Sequence, residues 1–91
     1  MIYENVAAKL QLSPQKLEIE SVQLFLRHRL RLIESQLLTM SRKYGVQTVS
    51  ELDQLVRDGQ IHEDDVFEEY FEFDHLEAER DIVLGLLGEL A

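Results

Sequence analysis

Ninety-one residues with a formal net charge of −9 and no cysteine allow a single domain and exclude both a disulfide framework and a thiolate metal site. No apolar run approaches the roughly 18 residues of a membrane span. The start, Met1-Ile2-Tyr3-Glu4, carries no basic, apolar secretory signal, so a soluble protein in a reducing cytoplasm is expected, with no membrane partner. The charge is split. Residues 1–45 hold seven Lys and Arg against four Glu, and residues 46–91 hold fourteen acids against Arg57 and Arg80. One half can meet phosphate or carboxylate, and the other repels nucleic acid.

In chain order, residues 2–12 read as a short amphipathic helix. Ile2, Val6 and Leu10 recur at i, i+4 and i+8, and Leu12-Ser13-Pro14 turns this helix back on the next. Residues 14–44 read as one long helix. Ser13 is its cap, Pro14 stands where a missing N–H costs nothing, and Gly45 is the left-handed stop after Arg42 and Lys43. At 1.5 Å per residue it is roughly 46 Å long. Within it, Leu26, Leu30, Ile33, Leu37, Met40 and Tyr44 follow 4-3-4-3 heptad spacing, with Gln23 as the polar member; this seam is expected to join two copies. Leu17, Val22, Leu24, Phe25, Leu32 and Leu38 widen the apolar surface to that of a bundle helix packed on two sides.

Thr48-Val49-Ser50-Glu51 is a capping box opening a short helix over 49–58, closed by Gly59. The last helix is expected over 65–90, with Asp64 as its cap. The predicted fold is all-α: a long helical hairpin with two short flanking helices, forming a dimeric helical bundle.

No catalytic signature stands out, and a non-enzymatic protein is expected. Glu72 and His75 have the Glu-x-x-His spacing of carboxylate-bridged metal bundles, with Glu68 and Glu79 one turn to either side. Such a site needs two pairs, so a dimer would have to supply the second, and a solvated acidic face is the simpler reading; no cofactor is assigned. Arg57 and His62 have the loose spacing of some helical RNases, but Gly59 breaks the segment and acids flank it. Arg27, Arg29 and Arg31 form the most basic stretch. Arg27 and Arg31 share a face while Arg29 points elsewhere, so nucleic acid is expected to bind there weakly if at all.

The stretch from Glu63 to Asp74 is the most informative. Four aromatics within seven residues cannot all face one core, and aromatics ringed by charge are a common form of interface anchor. One reading is that these rings fill a dimer core and the acids only solvate it; the other, preferred here, is a docking surface for a basic protein, with Asp64, Asp65, Glu68, Glu69 and Glu72 for charge and Phe67, Tyr70 and Phe71 as anchors.

Five features recur in one order: the Ser13-Pro14 start, the leucine-rich helix, Lys43-Tyr44-Gly45-Val46, the Ser50-Glu51-Leu52 helix closed by Gly59, and the acidic aromatic helix through Leu76-Glu77. In this order, from Ser13 to Leu90, the chain resembles the antitoxins of small prokaryotic toxin–antitoxin operons, close to the TumA-like group, although its acidic block has no tryptophan. The resemblance implies a protein that binds and neutralises a nuclease-type toxin, its acidic half covering the toxin's basic surface.

Overall fold

Four helices account for nearly all of the computed structural model, which describes residues 2–91: α1 (Ile2–Leu10), α2 (Pro14–Tyr44), α3 (Val49–Arg57) and α4 (Glu63–Leu90). The fold is all-α, with no strand among the described residues. Local chemistry sets the boundaries. The Ser13 hydroxyl accepts from the Lys16 N–H, and Gly45, at φ 68°, lets its own N–H and that of Val46 reach the Ser41 carbonyl. At the end of α1 the left-handed position falls on Gln11, φ 59°, where the Leu12 N–H reaches the Ala7 carbonyl. A non-glycine residue holds that conformation at some strain.

The capping box at Thr48 forms with one change. The Thr48 hydroxyl accepts from the Glu51 N–H, but the Glu51 carboxylate reaches back to the Gln47 N–H, one residue beyond the cap. The N-terminus of α3 has a second acceptor from far along the chain, because Glu77 of α4 takes the Val49 N–H at 3.1 Å. α4 starts earlier than the expected Asp65. His62, not Asp64, is the cap: its Nδ1 accepts from the Asp64 N–H at 3.2 Å, which puts Glu63, Asp64 and Asp65 in the first turn, where carboxylates favour the helix dipole. Gly85 and Gly88 do not interrupt α4, which runs to Leu90.

α2 and α4 form an antiparallel hairpin fastened at three levels. Lys43 pairs with Glu69 near one end, and Arg29 places Nε and Nη2 at 2.7 and 2.6 Å from one oxygen of Glu79 in the middle. At the other end the Gln23 amide donates to the Leu90 carbonyl at 2.8 Å. The polar member of the heptad seam therefore satisfies a carbonyl that the end of α4 leaves without an intrahelical partner.

The seam itself is covered within the chain. Leu26, Ile33, Leu37 and Met40 are buried in one cluster with Val66, Phe73, Leu76 and Val83 of α4, and Leu30 and Tyr44 pack at its edge. These six positions were expected to meet a second copy, and α4 occupies them instead. Seven-residue periodicity selects a face, and the first apolar helix that the chain returns to it takes the place. α3 closes the hairpin's turn end through Leu52, which is fully buried, with Val46 buried beside it in the cluster.

α1 departs from its amphipathic pattern. It folds against α2 with Ala7, which is fully buried, whereas Ile2, Val6 and Leu10 are exposed. A side chain as small as alanine's permits a close helix–helix approach, so Ala7 makes the contact and the large residues face outward. The molecule is a rod of 61 × 20 × 18 Å.

Candidate protein-docking site

The site lies at the start of α4, beside α3. Val66 and Phe73 enter the core, and this fixes the orientation of the helix. Phe67 and Phe71, one turn apart, must then point away from it, and they are 55% and 57% exposed. Their rings meet edge to face at 5.1 Å, and the Tyr70 ring lies edge-on to Phe71 at 5.7 Å. Tyr70 is half-buried and packs against the core, so it supports the pair more than it extends it. A groove of about 240 Å³ runs between α3 and α4, with Val56, Val66 and Tyr70 in its walls and Asp53 and Glu63 among its lining.

The expected carboxylates divide into two sets. Asp64, Asp65, Glu68 and Glu72 are exposed, and none of them is paired with a Lys or Arg side chain among the described residues. Glu69 is engaged by Lys43 and serves the hairpin. Asp53 and Val56 were missed at the sequence level. The signal was the apolar face of α3, which had to turn toward α4 and bring its neighbours with it.

The Lys43–Glu69 pair has a titration consequence. The hydrogen bond to Glu69 raises Lys43 above its ordinary 10.5, and the same bond holds Glu69 below the ordinary 4.5. Burial, reinforced by Glu69, pushes up the Tyr44 phenol, whose oxygen is buried without a well-formed hydrogen bond. For Glu69, with a depressed folded value, the stabilising contribution is present above 4.5 and is lost as pH falls through the folded value; for Lys43 it is present below 10.5 and is lost as pH rises through the folded value. Lys43→Met is therefore expected to leave a shallower loss of stability on acidification below pH 4.5 than the unsubstituted chain shows. Urea melts at several acidic pH values measure it; parallel acid limbs would show that the pair is not linked to folding.

Several of the other sequence candidates have structural partners. Arg57 lies 2.8 Å from Asp53 and His62 caps α4, so the RNase-like spacing does not form a shared site. His75 Nε2 stands 3.8 Å from Glu79, whose other oxygen is held by Arg29. No group of three or more His, Asp or Glu side chains able to hold a metal occurs among the described residues. Arg29 is engaged by Glu79, which leaves Arg27 and Arg31 as the exposed, unpaired cations of that stretch. No helix among the described residues is long and apolar enough to cross a membrane.

The arrangement is a helical surface with an aromatic centre and an acidic border. A protein-family model described as the Uncharacterized protein MJ0235 family matches residues 1–91, and the chain belongs to that family. No curated protein and no solved structure matches it.

Proposed function

We propose that this chain is a non-enzymatic protein-binding module that docks a basic protein on the acidic aromatic face of α4, as an antitoxin covers a nuclease-type toxin. The observation that carries this reading is the exposed Phe67–Phe71 pair within a field of unpaired carboxylates. Phe67 and Phe71 leave just over half of their surface in water, so a partner that covers them recovers about 1–1.5 kcal/mol each. The carboxylates Asp64, Asp65, Glu68 and Glu72 steer a cationic surface and disfavour nucleic acid and other acidic competitors. Glu69, tied to Lys43, takes no part.

The test is affinity capture from the native cell at low and high salt, with Phe67→Ser/Phe71→Ser run beside the unsubstituted chain. A basic protein retained at low salt, released at high salt and held at least about tenfold less by the double variant is the expected result. Both positions are exposed, so the variant should remain folded. Equal capture by both chains, or a variant that unfolds, would remove the aromatic pair from the role assigned to it.

A further inference from the structure

We infer that two copies of this chain pair through their N-terminal halves, each laying the outer edge of its α1 on the exposed face of the other copy's α2. The first argument is area. A compact monomer of 10.7 kDa exposes about 5,500 Å². This chain exposes 6818 Å², an excess on the order of 1,300 Å². A stable dimer covers about 800 Å² on each partner, so the excess is enough for one such interface.

The second argument is placement. α1 contains nine residues and is about 14 Å long, so from the turn at Gln11–Ser13 it reaches back along α2 to about residue 23. From the end of that reach onward, Ser21, Leu24, Phe25, His28 and Arg31 line a shallow depression on α2. Leu24 and Phe25 are each 64% exposed there, and Leu32 continues the face. α1 meanwhile presents Ile2, Val6 and Leu10 to solvent. Both surfaces repeat every four residues over two turns: Ile2, Val6, Leu10 on one, and Leu24, His28, Leu32 on the other. Neither can cover the other within one chain. A two-fold axis near the end of α1 lets each copy supply what the other lacks, which is the self-complementarity a symmetric dimer requires.

Charge weighs against pairing through α4 more heavily than against pairing through the N-terminal halves. Residues 1–45 carry a net +3 and residues 46–91 a net −12. Pairing through the N-terminal halves keeps the two acidic faces at opposite ends, whereas pairing through α4 would set carboxylates against carboxylates. Each dimer then presents two free acidic aromatic faces.

The test is sedimentation equilibrium together with engineered cross-linking. The full chain should sediment as a dimer. Leu24→Ser/Phe25→Ser and Ile2→Ser/Leu10→Ser should each give a monomer with unchanged helix content, since all four positions are exposed. Because the chain has no cysteine, a mixture of a Val6→Cys chain and a His28→Cys chain should form a mixed disulfide. A monomer across the whole concentration series overturns the proposal. So does a dimer that survives both pairs of serine substitutions, or one that yields no mixed disulfide.

Discussion

Phe73→Ala is expected to lower stability by about 3–5 kcal/mol, the largest single effect in the chain. The ring is fully buried between α2 and α4, in the cluster that holds Ile33 and Leu37. Removing it takes away the transfer free energy of the aromatic group and leaves a cavity that two long, mutually fastened helices cannot collapse. In a chain of this length each kcal/mol shifts the melting temperature by about 4–8 °C, so a fall of about 12 °C or more should appear in a thermal melt followed by circular dichroism. Phe71→Ala is the internal control. It removes the same ring from the same helix two residues earlier, on the exposed side, where only the edge contacts with Phe67 and Tyr70 are lost, and should change stability by about 1 kcal/mol. If the two variants melt together, the assignment of faces on α4 is wrong.

Leu52→Ala should be the next most damaging, at about 2–5 kcal/mol, but with a different signature. Leu52 is the buried residue by which α3 reaches the core, and the other links are the Glu77 carboxylate on the Val49 N–H and the half-buried Val49, Leu55 and Val56. Loss of the leucine should release α3 while α2 and α4 stay paired through contacts that do not involve it. Hydrogen exchange measures this directly. The amides of α3 should exchange early while those around Ile33 and Phe73 remain protected. Uniform acceleration across all four helices would mean that α3 is an integral part of one cooperative unit.

Most of the fold was legible because local chemistry specifies it. Ser13 and Pro14, Gly45, Thr48 with Glu51, and Gly59 each mark a boundary through groups only a few residues away, and the structure places them there. The features that escaped are non-local or run against residue preference. Nothing near Gln23 announces that it will satisfy a carbonyl 67 residues later, and nothing near Val49 points to Glu77. His62 is not a favoured cap, and residue preference points instead to the more usual Asp64. The heptad seam was read correctly as a face, but periodicity cannot say whether the occupant belongs to the same chain. α1 shows the opposite failure, since its three large apolar residues drew attention while the small Ala7 made the contact. At the candidate site, the crowding of aromatics in α4 told that some must be exposed, but only the burial of Val66 and Phe73 decides that they are Phe67 and Phe71.

The rod shape has a hydrodynamic consequence. A radius of gyration of 18.8 Å is what a compact globule of about 280 residues would have. In gel filtration a lone copy would therefore elute somewhat ahead of its mass, because elongation raises the hydrodynamic radius less than it raises the radius of gyration. Two copies joined with their acidic ends pointing apart would be longer still and would tumble much faster about the long axis than end over end. Rotational diffusion of this molecule is strongly anisotropic, so amide relaxation rates should depend on bond direction: along α2 and α4, where N–H vectors lie nearly parallel to the axis, relaxation should report the slow end-over-end motion.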